Sequence, residues 1–230
     1  MERLVGPALI DKVPRDHQQP DGEFRRRRLV AAVTLVVGAV LLGLSLATNP
    51  GDAAFYPLTL AVAVVWLVGG FLSGPLHLGA IEFRGSLHRP VLTPLAVGLV
   101  AAAVFVVGAL VVRAIGPLRD VVNDVLQHAQ QGNLALVFVL TLVNGVGEEV
   151  FFRGALYAAI GRHRPVLIST VVYVLVTIAT ANPMLVFAAV LMGTLFALQR
   201  RASGGILAPM ITHLVWSTVM ILVLPPLLSR

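Results

Sequence analysis

The 230-residue sequence predicts an all-α protein, a polytopic membrane helical bundle of about seven transmembrane helices with a cytoplasmic N-terminus. One observation is composition: 57% of the residues are hydrophobic and only 12% are charged, whereas a soluble domain carries about 25% charged residues. The other is a series of uncharged apolar runs, each long enough to cross a bilayer. The sequence contains no cysteine, which excludes disulfides, thiolate metal sites and cysteine nucleophiles.

The predicted organisation is a mobile cytoplasmic tail at 1–28, accessory transmembrane helices and loops at 29–132, a core at 133–224 and a tail at 225–230. The predicted spans are residues 29–48, 55–73, 91–112, 134–160, 165–181, 184–199 and 206–224. Residues 165–199 carry no formal charge and would form one helix of roughly 50 Å, longer than a hydrocarbon core of about 30 Å. Asn182-Pro183 therefore predicts a turn that divides them.

Arginine clusters orient these spans. With the four arginines that end the first tail placed inside, each further inside loop carries two arginines: Arg84 and Arg89, Arg162 and Arg164, and Arg200 and Arg201. The net charge of +6 thus indicates topology and not nucleic-acid binding. Residues 117–133 mix apolar and polar positions at helical spacing, which predicts a helix along the outer interface. The preference for arginine over lysine is typical of a GC-rich bacterial genome, so we expect the bacterial inner membrane.

Three charged residues interrupt the fourth span: Glu148, Glu149 and Arg153. A charge near the bilayer centre costs about 3 kcal/mol on insertion scales, so such residues normally face the bundle interior and mark function. Arg153 follows Glu149 by four residues and can offset its charge, whereas Glu148, about 100° round the helix, lacks a partner in sequence. A carboxylate that has no counter-charge and lies in surroundings of low polarity is suited to act as a general base. The alternatives are an ion pair that fixes helix packing and a proton pathway.

One histidine, His213, lies within a predicted span. Counted from the arginines of the nearest inside loops, Glu148 and His213 lie at a similar depth of roughly 18–21 Å. We therefore expect them to meet, with Ser217 one turn further along the same face. The alternative is a histidine that only forms a hydrogen bond between helices. On the sixth span, Ala189, Gly193 and Ala197 form a small-residue face that predicts a close helix contact.

Two stretches resemble a known family. Gly147-Glu148-Glu149-Val150-Phe151-Phe152-Arg153-Gly154 resembles the Glu-Glu-x-x-x-Arg motif of the CPBP family, the CAAX proteases and bacteriocin-processing enzymes that include the type II CAAX prenyl endopeptidases. The segment from Ser203 to His213 resembles the family's closing segment before its His-x-x-x-Asn. The resemblance covers about residues 133–217 and makes the 133–224 core CPBP-like. It implies an intramembrane endopeptidase that hydrolyses a peptide bond of a membrane-associated protein or peptide.

The resemblance also implies roles for individual residues. Glu148 would activate water, Glu149 and Arg153 would hold the helix and the substrate, and His213 would bind metal or stabilise the oxyanion. The implied cofactor is one divalent metal ion, zinc, with Glu148 and His213 as its ligands.

Two positions depart from the family pattern. Thr177 stands where the family has the histidine of Phe-x-x-x-His, and Ser217 replaces its asparagine. Zinc sites usually have three protein ligands, so a second function stays open. The chain would then be a catalytically degenerate member of the family that acts as a membrane scaffold, chaperone or immunity factor. A transporter is a third alternative, and in each case the expected partners include membrane lipids.

Overall fold

The structure is a computed structural model that describes residues 6–13, 19–83 and 85–228. After a short π-helix at Gly6–Ile10, the helices in chain order are α1 (Asp21–Leu46), α2 (Phe55–Leu72), α3 (Leu92–Arg113), α4 (Gly116–Gln131), α5 (Leu134–Ile160), α6 (Pro165–Ile178), α7 (Pro183–Ser203) and α8 (Leu207–Leu228). Within the described residues the strands are limited to one antiparallel hairpin, β1 (Ile81–Phe83) and β2 (Ser86–His88). The predicted all-α helical bundle is confirmed.

Six of the described helices are long and apolar enough to cross a membrane, namely α1, α2, α3, α5, α7 and α8. Their outer faces expose large apolar side chains, for example Val36 and Val40 of α1 and Val104 and Val107 of α3. Such a surface is stable in a lipid solvent and not in water. The chain is an integral membrane protein.

The predicted seventh crossing depends on α6. This helix has 14 residues and ends at Ile178, because residues 179–180 form a turn and Ala181 has a left-handed backbone with φ 53°. At about 1.5 Å per residue its length is roughly 21 Å, shorter than a hydrocarbon core of about 30 Å. The count of seven spans and the cytoplasmic N-terminus therefore stay predictions.

The N-terminal end of the first helix differs from the sequence prediction. Helix α1 begins at Asp21, so residues 21–28 of the predicted mobile tail are helical, with Asp21 and Glu23 placed favourably in the first turn. Arg27 is buried and donates hydrogen bonds to Gln19, Ser73 and the Pro75 carbonyl. These contacts hold the start of α1 against the end of α2. Arg84, assigned to an inside loop, lies outside the described residues.

Helix packing places α5 at the centre of the bundle. It contacts α2 and α8, while α6 pairs with α7 and α3 lies along α8. Aromatic rings fill the α2–α5 interface, where Trp66 stacks on Phe151 with ring centroids 4.7 Å apart. Helix α4 covers most of the stretch 117–133 that was predicted to be helical, and its position at a membrane interface stays a prediction.

The small-residue face of α7 makes the close contact that the sequence predicts. Ala189, Gly193 and Ala197 are all buried. A Cβ atom added at Gly193 would lie 2.9 Å from Cδ1 of Tyr173 on α6. The absence of a side chain at Gly193 therefore permits the close approach of α6 and α7.

Candidate active site

The two glutamates lie at a change of helix type in the middle of α5. The helix is α-helical over Leu134–Glu148, becomes a π-helix over Glu149–Leu156 and is α-helical again over Tyr157–Ile160. Segments of π-helix inside α-helices are rare and occur frequently at functional sites. Glu148 is thus the last residue of the regular helix and Glu149 is the first residue of the wider one.

Glu149 is completely buried, with 0% of its surface exposed. Its Oε1 accepts hydrogen bonds from Arg153 at 3.0 Å and from Nδ1 of His213 at 3.0 Å. Its Oε2 has no hydrogen-bond partner among the described residues. The predicted pairing of Arg153 with Glu149 is present, but His213 bonds to Glu149 and not to Glu148, the partner that the depth count suggested.

Arg153 joins three helices. Besides its ion pair with Glu149, its Nη2 donates to the Gly193 carbonyl on α7 at 3.2 Å. Its guanidinium group lies 4.6 Å from the ring centroid of Tyr173 and 5.0 Å from that of Phe196. Cation–π contacts of this kind are favourable when the cation is desolvated. The buried charge is therefore held by one carboxylate, one carbonyl and two aromatic faces.

Two contacts hold the ring of His213, one at its edge and one on its face. Its Nδ1 is bonded to Glu149, and the imidazole stacks on Phe196 at 4.8 Å with an interplanar angle of 22°. The other ring nitrogen, Nε2, is not engaged by Glu149. This arrangement leaves one nitrogen of a rigidly held imidazole for another partner.

Glu148 borders a cavity of about 320 Å³ that is lined by helices of the bundle. Its carboxylate is half-buried, and Oε2 accepts a hydrogen bond from the Tyr173 hydroxyl at 2.6 Å. The cavity lining is mostly apolar and also contains His213, Thr177 and Ser217. The structure therefore brings the predicted site residues of three helices to one cavity.

Thr177 and Ser217 use their hydroxyl groups differently. The Thr177 hydroxyl donates to the Tyr173 carbonyl of its own helix at 2.9 Å. Ser217 is buried beside the cavity, and its hydroxyl makes no hydrogen bond within the described part of the chain. Asn144 also borders the cavity, but its amide donates to the carbonyls of Thr59 and Leu140. Ser217 is consequently a cavity residue with a hydroxyl proton to offer, close in sequence to His213 on the same helix.

The segment that carries this arrangement is similar to a known protein family. Residues 130–219 match the family described as type II CAAX prenyl endopeptidase, Rce1-like. The resemblance to the CPBP family is confirmed across this segment. No curated protein and no solved structure gives a significant match to the chain.

The matched segment contains every residue of the candidate site, from Glu148 on α5 to Ser217 on α8. This segment is similar to the type II CAAX prenyl endopeptidases and is embedded in a bundle that also includes α1, α2 and α3. Those three helices lie outside the match, yet Trp66 of α2 borders the same cavity. Helices α1 and α2 therefore contribute to the lining of the site cavity.

The donor set of this CPBP segment does not fit the implied zinc ion. The described residues contain no group of three His, Cys, Asp or Glu side chains placed to hold a metal. Glu149 Oε1 is already shared by Arg153 and His213, and Thr177 supplies no imidazole. Glu148 and His213 provide two ligands where zinc usually has at least three.

Tyr173 is the site residue that sequence reasoning missed. It occupies the Phe position of the family's Phe-x-x-x-His pattern, four residues before Thr177, and contacts both Glu148 and Arg153. The signal that could have identified it is a tyrosine at a motif position where the family has phenylalanine. Its additional hydroxyl group lies one span away from two glutamates.

Proposed function

We propose that the protein is an intramembrane endopeptidase in which Glu148 acts as the general base. The observation that carries this proposal is the position of Glu148, a carboxylate on a half-buried helix position that opens into a cavity inside an apolar bundle. A base within reach of a bound water and a substrate is what amide hydrolysis requires. The match of this segment to the CAAX protease family supports the same reaction class.

In the proposed reaction, a water molecule in the cavity gives a proton to Glu148 while its oxygen forms a bond to the carbonyl carbon of the substrate. The Ser217 hydroxyl donates a hydrogen bond to the oxyanion that develops, since it has no other partner among the described residues. The proton then passes from Glu148 to the amide nitrogen as the C–N bond breaks. The Tyr173 hydroxyl orients the carboxylate throughout.

Glu149 and Arg153 are positioning residues in this proposal. Their ion pair fixes the start of the π-helix, and the bond from Glu149 to Nδ1 of His213 aligns the imidazole with the cavity. Held in this way, His213 presents Nε2 to the substrate. The proposed substrate class is a membrane-associated protein or a peptide that reaches the cavity.

Cleavage of a peptide mixture by purified protein in nanodiscs, analysed by mass spectrometry, tests the proposal. Glu148→Gln is expected to abolish cleavage, and the same exchange at exposed Glu82 is expected to leave it unchanged. Ser217→Ala is expected to slow turnover about 100-fold or more, the usual loss for one oxyanion donor. Cleavage by well-folded Glu148→Gln at the parent rate would refute the role of Glu148.

A second candidate is a family member without hydrolytic activity. Thr177 bonds to the backbone of its own helix, so the position of the motif histidine contributes no base or ligand. In that case the parent protein cleaves no peptide in the same assay, yet a photo-reactive peptide cross-links to residues of the cavity. Cleavage products from the parent protein would exclude this scaffold function as the sole role.

A further inference from the structure

A second cavity, here called the basic cavity, lies at the opposite end of α5 from its start at Leu134. Its volume is about 1400 Å³, and it is enclosed by the N-terminal end of α1, the loop between α5 and α6 and the C-terminal end of α7. The described residues that line it include seven cationic side chains and one carboxylate, that of Glu23. The cationic residues are Lys12, Arg27, Arg28, Arg162, Arg164, Arg200 and Arg201.

Arg27 shows that this charge is built into the fold. It is only 1% exposed, and its hydrogen bonds to described residues go to neutral oxygen atoms, the Gln19 side chain at 3.1 Å, Ser73 Oγ at 3.5 Å and the Pro75 carbonyl at 3.2 Å. Among the described residues, the acid that acts on it is Glu23, an exposed residue one turn earlier. A buried cation without a close carboxylate is costly unless an anion compensates it.

The exposed arginines at the rim are also held towards the cavity. Arg28 donates from Nε to the Ala159 carbonyl at 3.1 Å, and its guanidinium group lies 4.3 Å from the ring centroid of Phe24. Arg162 and Arg164 follow Gly161, which has φ 81°, and Arg164 itself has φ 43°. For a non-glycine residue this left-handed backbone is strained, and such strain clusters at binding sites. None of these three arginines forms an ion pair with a described carboxylate.

The depth of the basic cavity indicates its ligand. Arg28 directly precedes the apolar part of α1, Arg164 directly precedes α6, and Arg200 lies in the last turn of α7. Residues at the ends of membrane-spanning helices lie at the level of the lipid phosphates. The planar fork of a guanidinium group matches a phosphate with two parallel hydrogen bonds.

We propose that the basic cavity binds a phosphate group. The group comes either from the headgroup of an anionic lipid or from a soluble phosphate compound, and both sources share the chemistry that the arginines recognise. Orientation of the spans needs arginines only somewhere in the inside loops. It does not account for the burial of Arg27 or for the convergence of three chain segments on one cavity.

Two matched pairs of substitutions distinguish a specific phosphate-binding site from general electrostatic attraction to basic residues. Arg28→Gln with Arg162→Gln removes two exposed charges that line the cavity, and Arg25→Gln with Arg26→Gln removes two exposed charges at the same end of α1 that do not line it. Each full-length variant is first checked for an unchanged melting temperature in phosphatidylcholine nanodiscs. Because Arg27 supports the fold, it is not used.

The lipid arm compares nanodiscs with and without phosphatidylglycerol and counts retained lipids by native mass spectrometry. The soluble arm measures the melting temperature of delipidated protein in detergent with inorganic phosphate and with pyrophosphate. We expect at least one of these probes to bind, and the cavity pair to bind it about tenfold more weakly or worse, since charge-assisted hydrogen bonds are lost. The control pair is expected to stay within about twofold of the parent.

The outcomes differ clearly. Loss of phosphatidylglycerol retention in the cavity pair alone identifies a lipid site, and a lost phosphate or pyrophosphate response in that pair alone identifies a soluble ligand. Equal losses in both pairs would reduce the effect to surface charge and overturn the proposal. The absence of any response by the parent protein in both arms would overturn it as well.

Discussion

Glu149 and Glu148 are consecutive in the chain, but they belong to two different halves of the site. On the closed side, Glu149, Arg153 and His213 form a buried cluster in which each charged group has a fixed partner. On the open side, Glu148 meets the cavity with Tyr173 as its hydrogen-bond partner. A rotation of about 100° round one helix therefore separates a carboxylate that supports the fold from one that can meet a substrate.

This difference shows how a membrane protein can accommodate two adjacent glutamates inside its helical bundle. Breaking a buried pair leaves an uncompensated charge, so the closed side resists change. A half-buried carboxylate beside a cavity carries no such penalty when it is replaced by an amide of the same shape. Stability should therefore depend on the closed side and activity on the open side.

The largest expected effect comes from Arg153→Ala. It removes the counter-charge of fully buried Glu149, which is expected to lower the free energy of unfolding by about 3–5 kcal/mol. Thermal unfolding in detergent measures this loss, with Arg26→Ala as the exposed control. Equal losses for Arg153→Ala and Glu148→Gln would contradict the division into two sides.

Gly193→Leu tests the helix contact that supports the closed side. The new side chain would push against Tyr173 and is expected to cost about 1–3 kcal/mol of stability. Gly108→Leu is the matched control, because a Cβ atom there meets nothing within 4 Å. Identical melting temperatures for the two leucine variants would argue against close packing at Gly193.

Tyr173→Phe removes the hydroxyl group that bonds to Glu148. We expect a loss of about 1 kcal/mol of stability, the typical net value of one hydrogen bond. A double-mutant cycle with Glu148→Gln, measured by thermal unfolding, isolates the interaction between the two side chains. Fully additive effects would mean that the hydroxyl does not serve Glu148.

Thr177→His tests whether the open side lacks only one metal ligand. The imidazole would extend towards the cavity that also contains Glu148 and His213, so its packing cost is expected at the low end, about 1 kcal/mol. Isothermal titration with zinc is expected to show tighter binding than in the parent. Thr177→Val is the control without a ligand, and a folded histidine variant that binds zinc no better would place Thr177 away from the site.

The smallest effect on stability, close to zero, is expected from single cysteine substitutions at two exposed positions that flank α6. The chain contains no other cysteine, so His163→Cys and Ala181→Cys can each be labelled alone in intact vesicles. We expect them to react from opposite sides, position 163 from the cytoplasm. Reaction of both from one side would reduce the number of spans to six.

The sequence predicted those parts of the site that depend on spacing along one helix or on depth. The four-residue separation paired Arg153 with Glu149 correctly, and residue counts from the arginine loops brought His213, Thr177 and Ser217 to the cavity of Glu148. A depth count gives height in the membrane but not rotation about the helix axis. The choice of His213 between two adjacent glutamates therefore could not be predicted.

Burial of individual arginines was equally beyond the sequence. Arg27 is one of four consecutive arginines, and its neighbours Arg26 and Arg28 are exposed whereas it is buried. The difference arises because Arg27 points at Ser73 and Pro75, which follow the end of α2. These residues are far from Arg27 in sequence, and only the tertiary structure brings them close to it. Local pattern carries no information about such a contact.

The π-helix at Glu149–Leu156 sets the orientation of the chain that follows it. Each of its hydrogen bonds spans five residues where an α-helix spans four, so the segment holds more chain per turn. Relaxation of this segment to an α-helix of unchanged length would rotate everything beyond it by about 100°, the rotation of one α-helical residue. Arg162 and Arg164 would then turn away from Arg28, while Glu148 kept its place. Side-chain exchanges along this stretch are local events, but a change of its helix type would alter the alignment between the Glu148 cavity and the basic cavity.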